Sequence, residues 1–275
     1  MPELPEVETV KSGLEQRFLN KKIVKITHSD KKLRHPLPNN IVNILENASI
    51  KSFYRRAKVL FIHLDNGYSL VFHLGMTGKL VFDISMVSEH LHKHNHFNLY
   101  FDDGSYLIFN DIRRFGYVDL TKTDEIESLS YIKTLGPEPL TNQFNAKYLQ
   151  EKIKNKASAI KLAVMDNAVV VGVGNIYACE SLFKAKINPK TPANKISLKK
   201  LEVLVDEIKK TLIIAIEKGG STLKDYVQAD GSLGYFQHEF FVYGKQGEKC
   251  KVCNSAIDKV TLGQRSTFFC PKCQK

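Results

Sequence analysis

Apolar residues near the start of the chain recur with the period of a helix. Val7, Val10, Leu14 and Phe18 are three or four positions apart, so their side chains share one helix face. Pro5 suits the first turn, where its missing N–H costs no hydrogen bond. The pattern predicts a first helix that begins near residue 5 and buries one face in a core.

From residue 23 to residue 120 the pattern changes to short, β-rich runs separated by turn residues. These runs predict strands at residues 23–28, 50–55, 59–64, 68–74, 97–101, 106–109 and 117–120. Asp65-Asn66-Gly67 and Asp102-Asp103-Gly104 are typical hairpin turns. We therefore expect an antiparallel β-sandwich that carries the first helix.

The second half of the chain returns to helical periodicity after a polar, turn-rich stretch that contains Leu135-Gly136-Pro137-Glu138-Pro139. Helices are predicted at residues 149–153, 160–165, 176–183 and 197–218, and Gly219-Gly220 ends the last one. The fold class is therefore α+β. We expect a β-sandwich domain over 1–120, a linker over 121–145, a helical domain with a loop over 146–240, and a small C-terminal domain over 241–275.

Charge limits the choice of partners. The 275 residues include 40 Lys and Arg against 29 Asp and Glu, a net charge of +11. Such an excess favours a polyanionic partner, either nucleic acid or an anionic membrane surface. Apolar runs fall short of the roughly 20 residues that a membrane span needs, and the acidic N-terminus does not resemble a signal peptide. We expect a cytoplasmic protein without membrane association.

Four of the five cysteines form two pairs, Cys250-x2-Cys253 and Cys270-x2-Cys273. This spacing is a strong signature of one tetrahedral Zn²⁺ site. Disulfides are the alternative, which a reducing compartment disfavours. The fifth cysteine, Cys179, lies in an apolar helical pattern and is expected in a core.

The N-terminus offers a candidate nucleophile. Removal of Met1 would leave Pro2 as a secondary amine close to Glu3 and Glu6. An α-amino group has a pKa of roughly 7.7–8.0, against about 10.4 for lysine. It can therefore attack an aldehyde-like carbon near neutral pH and form a Schiff base. The competing interpretation is that Pro2 and Pro5 only start a helix.

Several further groups have both a binding and a structural interpretation. Gly172-x-Gly174-Asn175 precedes a helix, which suits an anion site or a plain turn. The basic cluster at 55–58 suits phosphate contact or a solvated edge, and Phe115 beside Arg113 suits a wedge in a base stack or a core position. The spaced histidines at 90, 92, 94 and 96 allow a metal site, but ordinary loop histidines are the better interpretation.

Together these segments resemble the bacterial formamidopyrimidine-DNA glycosylase family along almost the whole chain. The segments are Pro2-Glu3-Leu4-Pro5-Glu6-Val7-Glu8-Thr9, Arg55-Arg56-x-Lys58, His73-Leu74-Gly75-Met76-Thr77-Gly78, Asp111-x-Arg113-Arg114-Phe115-Gly116, Gly172-x-Gly174-Asn175-Ile176-Tyr177-Ala178, Gly219-Gly220-Ser221-Thr222-Leu223 and Cys250 to Gln274. The resemblance implies a β-sandwich, a helix-two-turn-helix domain and a zinc finger, with DNA in the cleft between the lobes.

The resemblance also implies a reaction. Pro2 would attack the deoxyribose anomeric carbon, expel an oxidised purine and cleave the strand by β,δ-elimination. Glu3 would transfer protons, Lys58 would stabilise phosphate and sugar, and Arg265 would hold a phosphate beside them. The substrate would be double-stranded DNA that contains oxidised purines or abasic sites, bound by a monomer.

Two further groups of residues would recognise the lesion and the DNA backbone. Lesion recognition is expected from Glu6, Met76, Arg113, Phe115, Ser221, Thr222 and Tyr226. Backbone contacts are expected from His73, His94, Arg114, Lys161, Asn175 and Tyr243. Extrusion of the target base is what makes such gap-filling side chains necessary.

The sequence departs from the family pattern at two places. Ala57 stands where the family usually has Gly, and residues 163–167 read Ala-Val-Met-Asp-Asn where Leu-Leu-Asp-Gln is common. Met1 must be a precursor residue, since its retention would make the Pro2 nitrogen an amide.

Two rival functions remain open. The sister endonuclease VIII branch, which prefers oxidised pyrimidines, typically has Gly where Leu4 stands here. A zinc-dependent DNA-binding module without catalysis is the alternative from another class.

Overall fold

The computed structural model describes residues 2–82, 89–221 and 234–275. The chain forms two compact units, one of Met1–Lys133 with Lys218–Gln237 and one of Thr134–Glu217 with His238–Lys275. In the described ranges, no helix is long and apolar enough to cross a membrane.

The first unit contains helix α1, further short helices and two antiparallel sheets. Its helices are α1 (Leu4–Phe18), α2 (Ile41–Leu45) and α3 (Ser130–Lys133). Its strands are β1 (Ile23–His28), β2 (Ile50–Arg56), β3 (Val59–Leu64), β4 (Tyr68–His73), β5 (Lys79–Val81), β6 (Asn95–Phe101), β7 (Tyr106–Asn110) and β8 (Tyr117–Lys122). The sheet orders are β1-β6-β7-β5 and β2-β3-β4-β8.

One apolar core joins α1 to both sheets. Val7, Val10, Leu14 and Phe18 are all buried in it, as their spacing predicts. Phe18 packs on Phe101 of β6 with ring centroids 4.6 Å apart. Helix α1 therefore has a fixed position on the sandwich, and so does its N-terminus.

The second unit is helical and ends in a two-stranded hairpin. Its helices are α4 (Ala146–Ile153), α5 (Ile160–Met165), α6 (Asn175–Lys184) and α7 (Leu198–Glu217). Its hairpin strands are β9 (Asp258–Leu262) and β10 (Arg265–Phe269). Asn145 caps α4, because its side chain accepts a hydrogen bond from the Tyr148 N–H at 3.0 Å.

The α+β class and the β-sandwich, helical domain and zinc hairpin are confirmed. The pattern does not predict the short elements α2, α3 and β5, which have too few residues to show a period. Residues 218–237, which chain order groups with the helical domain, cluster with the first unit instead. The reason is a set of hydrogen bonds to α1 that a local pattern does not reveal.

Ala57 lies in the turn between β2 and β3 with a φ of 55°, in the left-handed region. An L-residue with a Cβ is strained there by about 1 kcal/mol, whereas glycine is not. We therefore expect Ala57→Gly to raise the free energy of unfolding by roughly 1 kcal/mol, measured by urea unfolding of the first-unit transition.

The matched control is Ala48→Gly. Ala48 is buried and does not have a positive φ, so glycine there should lower stability. Equal destabilisation by both substitutions would show that the turn does not strain Ala57.

Candidate active site and zinc centre

The N-terminus of α1 is built around two buried carboxylates. Glu3 is the N-cap, and the Glu6 Oε2 atom accepts a hydrogen bond from the Glu3 backbone N–H at 2.8 Å. This reciprocal capping box satisfies N–H groups that a helix start leaves without partners. Glu3 and Glu6 are only 3% and 2% exposed, and Pro2 beside them is also buried. The carboxylates therefore lie at the positive end of the α1 dipole, next to Pro2.

The other oxygen of Glu6 fixes a distant segment of the chain. Glu6 Oε1 accepts hydrogen bonds from the Ser221 N–H at 2.9 Å and from the Ser221 Oγ at 3.0 Å. A Cβ on Gly220 would lie 3.1 Å from the Glu6 side chain, so glycine permits this approach. Ser221 thus lies beside the start of α1. This position is compatible with the part in lesion recognition that the resemblance implies for Ser221.

The two ends of the segment that follows Ser221 are held together. Ser221 and Tyr235 form an antiparallel bridge, and the Phe236 N–H donates to Gly220 O at 3.0 Å. Thr222 and Tyr226, the other two residues expected to cover the lesion, lie outside the described residues.

Lys58 lies in the β2–β3 turn, which is tied to α1. Arg55 Nε donates to Glu8 Oε2 at 2.6 Å, and Arg55 Nη1 donates to Ala57 O at 2.9 Å. Burial raises the pKa of Glu8, but the Arg55 hydrogen bond and charge outweigh it and hold this pKa below its usual value. Arg55 therefore holds the β2–β3 turn in place and is not a solvent-exposed edge residue. Because Lys58 lies in this turn, the position of its backbone is fixed as well.

Two neighbouring loops of the first unit are locked by one buried carboxylate, that of Asp111. Its Oδ1 accepts from Thr77 Oγ1 at 2.5 Å and from the Arg113 N–H at 3.2 Å. Its Oδ2 accepts from the Gly116 N–H at 2.8 Å. Asp111 is fully buried, so these bonds join loop 74–78 to loop 111–116 without competition from water.

These loops carry the three side chains expected to fill the gap left by a flipped base. Phe115 is 46% exposed and is not a core residue, and the Arg113 guanidinium lies 4.6 Å from its ring centroid. Met76 on the other loop is half-buried. Arg114 is exposed in the left-handed region, with φ at 56°.

His73 ends β4 and is directly paired with Tyr117 of β8. The two rings are stacked, with 5° between their planes and 5.2 Å between centroids. His73 Nδ1 accepts a hydrogen bond from the Gly75 N–H at 3.1 Å. Burial, assisted by the nearby charges of Arg34 and Lys58, lowers the pKa of His73 to about 4. The ring is therefore neutral at pH 7.

The histidine-rich stretch does not gather into a metal site among the described residues, whose candidate metal-binding group is the cysteine cluster. His96 is buried, with Nδ1 2.9 Å from Ser29 Oγ and Nε2 3.0 Å from Asp111 O. His94 is half-buried, and partial desolvation with the charges of Lys93 and Lys31 lowers its pKa. Both nitrogens of the His96 imidazole therefore lie within hydrogen-bond distance of protein oxygens, and the His94 ring lies edge-on to it with 6.3 Å between centroids.

In the second unit, a buried lysine joins the start of α6 to the zinc hairpin. Lys161 is completely buried, and its ammonium donates to Asn175 Oδ1 at 2.5 Å and to Thr267 Oγ1 at 2.6 Å. Asn175 Nδ2 in turn donates to Ser266 O at 2.9 Å. Asn175 and the exposed Arg265 are therefore held close together. The Lys161 side chain points into this network rather than toward solvent.

A second buried group, Glu180, orients the chain that leads into the hairpin. Its two carboxylate oxygens accept hydrogen bonds from the backbone N–H groups of Phe241, Val242 and Tyr243 at 2.8–3.0 Å. Burial outweighs these bonds and raises the pKa of Glu180. Tyr243 is thereby fixed, with its ring edge on Phe268 at 5.2 Å.

The four paired cysteines converge as their spacing predicts. All four Sγ atoms lie within 4.8 Å of one another. The Cys250–Cys273 and Cys253–Cys270 sulfur distances are 3.9 and 3.4 Å, too long for disulfide bonds. Four thiolates about 2.3 Å from a central Zn²⁺ would be about 3.8 Å apart. The site therefore fits one structural zinc ion, while Cys179 is buried in the neighbouring core.

Three family models match successive parts of the chain. The N-terminal domain of formamidopyrimidine-DNA glycosylase matches residues 1–118, and the H2TH domain of the same enzyme matches residues 135–227. A zinc finger found in FPG and IleRS matches residues 247–275. The chain belongs to the formamidopyrimidine-DNA glycosylase family. It is therefore a DNA glycosylase of DNA repair.

Curated family members match over their full length. The formamidopyrimidine-DNA glycosylase of Photobacterium profundum is 48% identical over 276 residues, and that of a Wolbachia strain from Drosophila simulans is 44% identical over 277 residues. Both alignments cover all of this chain and all of the relative.

Solved structures of this family share the fold. A Lactococcus lactis FPG mutant bound to Fapy-dG-containing DNA superposes with a TM-score of 0.91 at 35% identity, and the match covers 100% of both chains. The FPG protein of Thermus thermophilus gives 0.89 at 34% identity, over 99% of this chain and 98% of that chain.

The sequence points to some of the buried groups of these sites, such as Glu6 and Lys161, but not to others. Asp111 stands out only as part of a motif, and Glu8, Glu180 and Tyr117 carry no sequence signal for a site. A charged residue inside an apolar helical pattern, as Glu180 is, is the one available signal of such a buried group.

We expect Cys250→Ser to lower bound zinc from one ion per chain to well below one, and to weaken DNA binding, because three thiolates no longer close the tetrahedron. Metal content by mass spectrometry and DNA affinity are the measurements. Cys179→Ala is the matched control and should keep the zinc. Full zinc retention by the Cys250 variant would remove the metal assignment.

Proposed function

We propose that this glycosylase excises oxidised purines, such as 8-oxoguanine and formamidopyrimidines, through a Schiff base on Pro2, and then cleaves the strand. The observation that carries the proposal is the start of α1, where Pro2 adjoins two buried carboxylates. An N-terminal secondary amine there is a nucleophile of suitable pKa, and the carboxylates can exchange protons with the sugar and the leaving base.

The chemistry needs Met1 to be removed, so that the Pro2 nitrogen has a lone pair. This lone pair attacks the anomeric carbon of the lesion nucleotide, and the base leaves with the electrons of its glycosidic bond and gains a proton. Glu3 assists opening of the sugar ring to a cationic iminium. The iminium accepts electrons as β- and δ-elimination expel the two flanking phosphates in turn, and water then releases the amine.

Lesion selection rests on the loops around this amine. Glu6 contacts the lesion nucleotide and holds Ser221. Ser221, Thr222 and Tyr226 belong to the segment that covers the lesion. Leu4, where the sister branch that acts on pyrimidines has Gly, favours the purine substrates.

The extruded base leaves a gap that Met76, Arg113 and Phe115 enter. The exposure of Phe115 supports this role, since stacking between bases would bury the ring. The rigid Asp111 support lowers the entropy that ordering these loops would otherwise cost on binding.

Phosphate contacts come from both units. Lys58, His73, His94 and Arg114 supply them in the first unit, and Asn175, Arg265 and Tyr243 in the second. Lys161 contributes by holding Asn175 and the hairpin, as its burial supports. The enzyme acts as a monomer on double-stranded DNA in the bacterial cytoplasm, where the nucleoid lies.

Borohydride trapping on a duplex with one 8-oxoguanine tests the proposal. Wild-type protein without Met1, verified by intact mass, should form a covalent adduct, and Pro2→Gly should trap at least roughly 100-fold more slowly. A secondary amine gives an iminium that cannot lose its charge, whereas glycine gives an imine that must first be protonated.

Pro5→Ala is the matched control, because it removes a nearby proline and leaves the terminal amine intact. It should trap at close to the wild-type rate. A normal rate for Pro2→Gly would show that the secondary amine of Pro2 is not needed, and a normal rate for protein that retains Met1 would rule out the Pro2 nitrogen as the nucleophile. A wild-type protein that binds the duplex without trapping would support a non-catalytic binding module.

Salt dependence tests the phosphate contacts. Log affinity should fall with log salt by about 0.9 for each phosphate neutralised. Arg265→Ala should reduce this slope by about 1, whereas Arg17→Ala, exposed in the last turn of α1, should not change it. Equal slopes for all three proteins would show that Arg265 does not bind a phosphate.

A further inference from the structure

Tyr117 has no part in the reaction proposed above, yet its ring stacks directly on the imidazole of His73. The two residues are direct partners across β4 and β8, and their rings are nearly parallel, 5.2 Å apart. Two more rings meet Tyr117 edge-on, His35 at 5.4 Å and Tyr131 at 6.0 Å. Tyr117 is only 7% exposed, so one face of His73 is covered by a ring that is itself held from other sides.

The backbone fixes the other properties of the imidazole. Because His73 Nδ1 accepts from the Gly75 N–H at 3.1 Å, the neutral ring must carry its proton on Nε2. A Cβ on Gly116 would lie 2.6 Å from His73 O, so the backbone of loop 111–116 passes close to this residue. The imidazole thus has one tautomer and one orientation.

We propose that Tyr117 is a positioning residue for DNA binding: its ring covers one face of the His73 imidazole and keeps the imidazole neutral, so that Nε2–H is a single fixed donor for a phosphate oxygen. This inference rests on the proposed phosphate contact of His73. It adds that the contact is a neutral hydrogen bond that does not change with pH over the physiological range.

The groups around His73 support this arrangement. Burial contributes most to its low pKa of about 4, the charges of Arg34 and Lys58 lower it further, and the charge of Asp111 opposes them. Asp111 is hydrogen-bonded to Thr77, Arg113 and Gly116, so it is not a direct partner of the ring. Without the Tyr117 ring, water would also reach the covered face of His73, and the pKa of His73 would rise toward the ordinary 6.5.

The test compares Tyr117→Phe, which keeps the stacked ring, with Tyr117→Leu, which fills much of the space without an aromatic face. In DNA-free protein, NMR should find His73 titrating near pH 4 as the Nε2–H tautomer in wild type and in the Phe variant. In the Leu variant its pKa should rise by at least about one unit. The His73→Gln variant assigns the signal among the nine histidines.

DNA affinity gives the second readout. Between pH 7.5 and pH 5.5, Tyr117→Leu should gain roughly fivefold more affinity for lesion DNA than wild type does, because a protonated imidazole binds phosphate more strongly. The extra gain should vanish in the double variant Tyr117→Leu, His73→Gln. Tyr117→Phe should follow wild type.

Three outcomes would overturn the inference: a wild-type His73 that titrates near pH 6.5, an unchanged His73 pKa in the Leu variant, or a Phe variant that behaves like Leu. A Leu variant that fails to fold leaves the wild-type and Phe titrations to decide. Failure of wild-type protein to trap on lesion DNA would instead overturn the proposed function, and the titrations in DNA-free protein would still measure the effect of Tyr117 on His73.

Discussion

The structure of the first unit depends on one carboxylate, that of Glu6. It closes the capping box of α1 through one oxygen and binds the backbone and hydroxyl of Ser221 through the other. A buried carboxylate costs several kcal/mol unless it is fully hydrogen-bonded, and the α1 dipole adds further compensation. The same group therefore starts the helix beside Pro2 and brings residues 215 positions away to that point. Helix capping and assembly of the candidate site are one interaction.

Asp111 and Lys161 are two further buried ionisable groups that hold neighbouring segments through hydrogen bonds. Each is fully buried, and each holds exposed neighbours in place: Asp111 holds the loop of Arg113 and Phe115, and Lys161 holds Asn175 beside the hairpin of Arg265. A buried charge tolerates few arrangements of its partners, because each lost hydrogen bond leaves an uncompensated group in a low dielectric. Such groups set the positions of projecting side chains more strictly than apolar contacts would.

The difference between local patterns and contacts between distant segments explains how much of the fold and of the candidate site the sequence predicts. Long periodic segments such as α1 and α7, the hairpins at Gly67 and Gly104, and the cysteine spacing all have local signals, and all of them form. The pairing of Glu6 with Ser221, or of Lys161 with Thr267, has no local signal, because each depends on chain segments more than 100 residues apart. For the same reason no local signal indicates that Lys218–Gln237 clusters with the first unit, whereas Gly219-Gly220 does mark the end of α7. Phe115 shows the opposite case, in which the local pattern favours a core position and the 46% exposure of the side chain shows otherwise.

The loop that carries Phe115 also requires glycine at two positions, because it packs closely against a neighbouring loop. Loop 111–116 and loop 74–78 approach so closely that a Cβ on Gly75 would lie 2.5 Å from Gly116 N, and one on Gly116 would lie 2.6 Å from His73 O. This spacing lets Asp111 reach both loops, and it brings the backbone of loop 111–116 against His73, which stacks on Tyr117. A larger residue at either glycine would separate the loops, loosen the Asp111 bonds and move His73 with them. Phe115, the proposed wedge, and His73, the proposed phosphate donor, therefore share one support, so we expect a displacement of one to displace the other.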